Sequence, residues 1–314
     1  MTLITLSIWV YTIGGILQLF FKEKHKCNFL IFMNFIAAAL AFKPIVSILY
    51  ERNILETTVY MGQLLKDVAF RVDALSAFFI MIICGVGLLG TIYSKKYLEP
   101  YIEQGKKLGS HLFLFNVFLA SMLLVVMSQN IIFFLISWEL MSFSSFLLMI
   151  FEHEEKEVRQ SGINYLITMH VGVMFLVVGF ILMYLKTGSF DFSAFSGRIS
   201  ELVFAIMFIG FGIKAGFVPL HSWLPKAHPV APTHISALMS GVMIKTGIYG
   251  ILRMLLYMGK PTITVSYCVL LVGLASAFFG ILYAVAQRNY KKMLAYSSIE
   301  NIGIITTGMA VAML

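Results

Sequence analysis

Apolar runs of about 20 residues recur along the whole chain, each long enough to cross a bilayer core about 30 Å thick. In lipid every backbone donor and acceptor must be satisfied within the span, so runs of this length read as α-helices. The expected fold class is therefore an all-α polytopic membrane protein. About ten transmembrane helices are expected, over residues 3–21, 28–49, 73–93, 111–128, 131–151, 162–185, 202–218, 233–257, 263–285 and 293–314.

Charge supports the same reading. Only 12% of the residues are charged, against about 25% in an ordinary soluble domain. The net charge of +8 does not mark a nucleic-acid surface, because most Lys and Arg residues sit in short loops. The loops after the first, third, fifth, seventh and ninth runs hold thirteen of them, and the intervening loops hold six. The richer set belongs on the cytoplasmic side, which puts the N-terminus outside a cell inner (plasma) membrane. No basic n-region precedes the first run, and Lys22, Lys24 and Lys26 follow it, as expected of a retained helix rather than a cleaved signal. Cys27, Cys84 and Cys268 are far apart, so neither a disulfide framework nor an iron–sulfur site is indicated.

Four basic residues fall inside apolar runs: Lys43, Lys214, Lys245 and Arg253. Lys43 and Arg253 lie toward helix ends and are expected to snorkel to the interface. Lys214, Lys245 and the acidic Glu139 lie near mid-membrane, where a charge costs about 2.5–3.5 kcal/mol and its usual justification is function. Burial disfavours a charged lysine and a nearby carboxylate favours it. A change at Glu139 would then release a proton held on Lys214, and Lys245 would pass it along. A static ion pair is the competing reading, and it leaves one of the two lysines to be explained.

Pro219, Pro225, Pro229 and Pro232 follow the glycines 210, 212 and 216. Proline removes a backbone donor and clashes with the preceding turn, so no continuous helix passes here. The segment is either a broken helix of the kind transporters use at ion sites or an ordinary cytoplasmic loop. His221, His228 and His234 fall in it, and a proton-entry role suits a side chain that titrates near physiological pH. His234 is the first choice, eleven residues before Lys245. No metal site is expected, since no cysteine or carboxylate joins these histidines at ligand spacing. His170, inside the sixth run, is either a satisfied core histidine or a relay member. Asp73, beside Arg71, reads as a helix-terminus charge. Residues 152–159 read as a solvated turn or a docking point for a partner subunit.

Several segments carry a specific resemblance. Residues 212–253, GIKAGFVPLHSWLPKAHPVAPTHISALMSGVMIKTGIYGILR, resemble the signature of the antiporter-like subunits of respiratory complex I, Mrp-type antiporters and energy-converting hydrogenases. Residues 138–172, 71–79 and 286–305 resemble the same family, and AHPVAPTHISALMSGVMIKTGIYG most resembles the hydrogenase-4 and formate hydrogenlyase branch.

The resemblance implies inverted five-helix repeats, each with a broken helix, and proton-translocating roles at Glu139, Lys214 and Lys245. Mapped onto the chain, 1–100 is an N-terminal three-helix segment and 108–258 is a first repeat whose seventh helix is broken. Residues 262–314 open a second repeat. Family members have about fourteen helices, so the chain is expected to be a fragment of a longer subunit or to be completed by another chain.

The implied function is proton translocation in a complex I-like redox assembly, a membrane-bound hydrogenase or formate hydrogenlyase. No cofactor is expected in the chain; iron–sulfur and NiFe centres belong to partner subunits. Partners are other membrane and peripheral subunits and the bilayer, not nucleic acid. The alternatives are a subunit of a multisubunit Na+/H+ antiporter and a scaffold or assembly piece.

Overall fold

The computed structural model describes residues 1–60, 62, 67–197, 199–259 and 261–314. Its helices are α1 (Thr2–Leu17), α2 (Glu23–Glu51), α3 (Ala74–Glu103), α4 (Gly109–Met127), α5 (Ile131–Met149) and α6 (Lys156–Thr187), then α7 (Glu201–Ala215), α8 (Leu224–Val230), α9 (Thr233–Leu238), α10 (Ile244–Met258), α11 (Ile263–Val285) and α12 (Tyr290–Met313). One π turn, Met239–Met243, joins α9 to α10.

Among the described residues, eight helical stretches are long and apolar enough to cross a membrane. Two of the ten expected spans fall outside that set for different reasons. Helix α12 carries Ser297, Ser298, Glu300, Asn301, Thr306 and Thr307 along its length, which lower its hydropathy. Helix α7 has only 15 residues, or about 22 Å at the helical rise. That is short of the bilayer, so the broken segment after it must complete the crossing.

Several helices extend beyond the expected runs. Helix α2 begins at Glu23, α3 continues to Glu103, and α6 begins at Lys156 within the stretch expected to be a solvated turn. The polar end turns lower the hydropathy without breaking the helix. Side chains cap several starts: Asp73 accepts from Ser76 N at 3.0 Å, Asn130 from Ile132 N and Phe133 N, and Asn289 from Lys292 N. Each satisfies donors that the first turn leaves without an intrahelical acceptor. Asp73 thus serves as the terminal charge expected of it, with Arg71 Nε 4.0 Å away.

The stretch between α2 and α3 is not merely a loop. Strands β1 (Leu55–Tyr60) and β2 (Asp67–Val72) pair antiparallel, with Leu55 opposite Val72 and Tyr60 opposite Asp67. Val68, Phe70 and Val72 alternate inward on β2 and are buried, the period-two pattern of a half-buried strand. The hairpin docks on the turn between α4 and α5, where Gln129 N donates to Ala69 O at 3.1 Å.

Packing divides the chain into two compact units: Met1–Phe151 with Pro232–Val242, and Glu152–Ala231 with Met243–Leu314. In the first, α2 packs on α1 and α3, α4 packs on α1 and α5, and α9 lies against α3 and α5. In the second, α7 packs on α6 and α10, and α8 on α6 and α12, while α11 and α12 form a close pair. Large apolar side chains such as Trp9, Met174, Phe278 and Val285 are exposed on outer faces, as lipid-facing positions require.

Candidate functional site

Lys214 occupies the last turn of α7, and its position follows from how that helix stops. Gly216 takes a left-handed conformation (φ +83°) that an L side chain rarely adopts, and its N–H closes on Gly212 O at 2.8 Å. The chain then turns through Val218 and Pro219 into α8. Trp223, fully buried, donates its indole N–H to Ile213 O at 2.9 Å. Val218 N donates to Ser276 Oγ on α11 at 3.0 Å. The helix end therefore has partners for its exposed backbone groups, and the segment is a broken helix rather than a plain loop.

The break accounts for the buried cation. Lys214 is 1% exposed, and the C-terminal end of a helix carries a partial negative charge that favours an ammonium. Its Nζ lies 5.9 Å from the Tyr165 ring centroid, within reach of a cation–π interaction. Tyr165 in turn packs on Trp223 at 5.2 Å and directs its hydroxyl to Met243 Sδ at 3.5 Å. Neither Tyr165 nor Trp223 was expected at the site. Tyr165 lies inside an apolar run and Trp223 in the break between Pro219 and Pro225, and only the folded chain brings the two together beside Lys214.

Close backbone contacts hold α7 here. A Cβ on Gly247 of α10 would lie 2.6 Å from Phe211 O, and one on Gly210 would lie 2.9 Å from Gly172 O on α6. Lys245 sits two residues before Gly247 and is half-buried. The π turn that ends at Met243, two residues before it, adds a residue to the helical register; such single turns inside helices are frequent at functional sites.

Arg253 departs from expectation. It is 4% exposed, not snorkelling, and it donates from Nε and an Nη to Tyr249 Oη at 3.2 and 3.0 Å. Residues 245, 249 and 253 share one face of α10 at helical spacing, so the buried guanidinium continues the line that Lys245 begins. Lys43 is exposed on α2.

In the other unit, Glu139 lies at the middle of α5, half-buried and directly after the buried Trp138. The histidines separate. His170 is exposed on α6 and its Nδ1 bonds the carbonyl of Leu166 at 2.9 Å, so it is not a core histidine. His221 is half-buried, its ring centroid 6.3 Å from that of Tyr296. His228 is buried in α8, next to Pro229, whose carbonyl, like that of Ala231, accepts from Lys291 Nζ. His234, 1% exposed on α9, pairs with His111 at the start of α4, Nε2 to Nε2 at 2.9 Å. His111 had not been singled out; it stands at the edge of a loop, and its partner is 123 residues away.

Comparison with known proteins fits this architecture. The family model described as NADH:quinone oxidoreductase/Mrp antiporter, TM, matches residues 128–313, and that described as NADH-ubiquinone oxidoreductase (complex I), chain 5 N-terminus, matches residues 59–105. Hydrogenase-4 component B of Escherichia coli (strain K12) is 40% identical over 256 residues, covering 79% of this chain and 38% of the relative. The putative antiporter subunit mnhA2 of Staphylococcus aureus is 29% identical over 324 residues, covering 97% of this chain and 39% of the relative. The chain thus spans about two fifths of the length of these curated relatives.

Among solved structures, a subunit of the membrane-bound sulfane sulfur reductase, an archaeal respiratory membrane complex, superposes with a TM-score of 0.84 at 25% identity. The match covers 97% of this chain and 51% of that one. The Mrp complex from Dietzia sp. DQ12-45-1b gives a TM-score of 0.84 at 19% identity, covering 99% of this chain and 58% of that one, which bears on the fold. By the match across residues 128–313 and the identity to the hydrogenase component, this chain belongs to the NADH:quinone oxidoreductase/Mrp antiporter family of membrane subunits.

Proposed function

We propose that the chain is a proton-translocating membrane subunit of a complex I-like redox assembly, of the membrane-bound hydrogenase or formate hydrogenlyase type. The observation that carries the reading is Lys214, a cation 1% exposed at the end of a helix that breaks inside a membrane span. A permanently charged lysine there is costly, and a lysine that takes up and releases a proton gives that cost a purpose. Glu139 modulates, Lys214 carries, and Lys245 passes the proton on. His234 serves proton entry, with His228 and His221 as further entry groups and His170 as an outer member. The 40% identity to hydrogenase-4 component B supports the hydrogenase branch.

Redox chemistry belongs to partner subunits, which would hold the iron–sulfur and NiFe centres. In this reading the chain lies in the inner (plasma) membrane with its N-terminus outside. Substituting Lys214→Ala should abolish redox-driven proton uptake while electron transfer to soluble acceptors continues. Proton uptake at full stoichiometry in an intact Lys214→Ala complex would sink the relay assignment.

A second reading, a subunit of a multisubunit Na+/H+ antiporter, is favoured by the match to the putative mnhA2 antiporter subunit across 97% of the chain. Companion subunits decide between the two. Co-purification with hydrogenase and iron–sulfur subunits supports the first, and small antiporter subunits without redox partners support the second. Translocation that survives neutralising Lys214 and Lys245 together would favour a third reading, a scaffold.

A further inference from the structure

The first unit contains a buried pair of imidazoles joined edge to edge. His111 is the third residue of α4 and His234 the second of α9. They are 4% and 1% exposed, with ring centroids 5.1 Å apart and planes at 78°. The Nε2···Nε2 distance is 2.9 Å, a hydrogen-bond length.

The surroundings are aromatic. From α3, Tyr97 lies 5.3 Å from His234, and Tyr101 lies beyond it, 5.2 Å from Phe151. From α4, Phe115 is 6.0 Å from His234. After α5, Phe151 is 4.6 Å from His111. Lys106, in the loop between α3 and α4, places its ammonium 5.5 Å from the Tyr101 ring and 6.0 Å from Phe151. The titratable and charged groups that face the pair through this shell are thus Tyr97, Tyr101 and Lys106. His234 Nδ1 is buried and has no hydrogen-bond partner among the described residues.

This geometry dictates a protonation pattern. Two nitrogens at hydrogen-bond distance need one proton between them, so one ring carries Nε2–H and the other a bare Nε2. The donating ring then has a bare Nδ1, and the accepting ring carries Nδ1–H. A buried nitrogen without a partner costs about 1–3 kcal/mol, which is hard to justify in a purely structural pair. A stacked aromatic pair would fill the same space without that cost.

We propose that His111 and His234 form a two-imidazole proton relay in which His111 takes up the proton and His234 passes it on through Nδ1. The inference rests on the proton-translocation reading and adds His111 to it. A proton binds the bare Nδ1 of His111. The shared proton crosses from His111 Nε2 to His234 Nε2, moving the positive charge to His234. His234 then gives its Nδ1 proton to a water molecule that reaches that nitrogen, the acceptor the step requires. One proton enters, one leaves, and both rings end neutral in exchanged tautomers. Resetting the pair without undoing the transfer requires both rings to rotate, so the pair passes one proton per reset.

The test uses the intact complex in lipid, labelled with nitrogen isotope in histidine. Solid-state NMR should detect scalar coupling across the bond between the two Nε2 atoms in the unmodified protein. Redox-driven proton uptake is then measured in His111→Gln, His234→Gln and the double variant, with Lys214→Ala alongside. Glutamine retains a hydrogen-bonding side chain but cannot relay a proton as imidazole does.

The expected result is the coupling, plus a fall of about a hundredfold in proton transfer for either single variant, at the low end for a positioned acid–base group. The double variant should be no worse than either single one, as for residues that act as a unit. Absence of the coupling overturns the pair without reference to translocation. Coupling together with undiminished uptake in His111→Gln, while Lys214→Ala abolishes uptake, makes the pair structural and leaves the proposed function standing. Undiminished uptake in both His111→Gln and Lys214→Ala overturns both.

Discussion

In the unit formed by residues 1–151 and 232–242, polar side chains tie the helices together. Asn34 on α2 donates to Thr91 Oγ1 on α3 at 2.8 Å, and Ser7 on α1 donates to Ala37 O on α2 at 2.8 Å. Gln18 reaches Gly109 O, Asn116 on α4 reaches Tyr11 O on α1, and Ser76 on α3 reaches Val126 O on α4. The other unit leans on glycine instead. A Cβ on Gly303 of α12 would collide with the backbone of Ala277 on α11, and one on Gly280 would lie 2.5 Å from Glu300 N. Lipid is as apolar as leucine, so hydrophobicity does not drive one helix onto another there. Side-chain hydrogen bonds and close small-residue packing are the two remaining means. The units divide them unequally.

The difference bears on function. Polar ties hold helices at side-chain distance and leave room between them for groups such as the His111–His234 pair. Glycine contacts bring backbones together and exclude such groups. In the second unit the buried cation therefore sits where a helix stops, at Lys214, with Gly210 and Gly247 pressing neighbouring backbones onto α7.

The largest effect should come from closing one of those glycine contacts. Gly303→Ala puts a methyl against backbone that cannot rotate away, and overpacking of this kind costs about 3 kcal/mol at the upper end of its usual range. Thermal unfolding in lipid should show a clear drop in midpoint. An unchanged midpoint would mean that α11 and α12 are not held at backbone contact.

A smaller loss is expected from one of the polar ties that the second unit does use. Lys291 Nζ donates to Pro229 O at 3.2 Å and Ala231 O at 2.9 Å, holding the end of α8 to α12. Lys291→Met should cost about 1.5 kcal/mol, the low end for bonds to a charged donor because the lysine is only half-buried. Hydrogen exchange should rise at the α8 amides. If it does not, the end of α8 is held by packing alone.

How much of this the sequence reveals depends on how a signal is carried. Glu139 and Lys214 stand out because a charge in an apolar run is rare, and the break after α7 stands out because prolines crowd it. The β1–β2 hairpin is hidden because six-residue strands make no long run. His170 and Arg253 fail for a shared reason. When nearly every face of a helix is apolar, hydropathy fixes depth but not rotation. His170 at mid-run turns outward, and Arg253 near a run's end turns inward onto Tyr249. His111 is hidden by distance along the chain, since a lone histidine beside a loop signals nothing until His234 is known to meet it. Tyr165 is hidden by chemistry, as an aromatic residue in an apolar run looks like any other filler, and Trp223 by its place in a proline-rich break, where one aromatic residue signals nothing by itself.

The smallest effect should fall on the polar side of the comparison, and it separates bonding from desolvation. Thr91 accepts from Asn34 and donates to Gly87 O at 2.7 Å within its own helix. Valine matches its shape and removes only the hydroxyl, so Thr91→Val should cost about 1 kcal/mol, within the range for interhelical bonds in membranes. Most of that loss would be the stranded Asn34 amide rather than the missing bond. Asn34→Leu made together with Thr91→Val should therefore recover part of it, since replacing both partners by apolar groups is close to neutral. Unfolding midpoints of the two single variants and the double one form a cycle that measures the coupling. Additive losses would show that the bond does not hold α2 to α3, and that the first unit depends on packing as much as the second does.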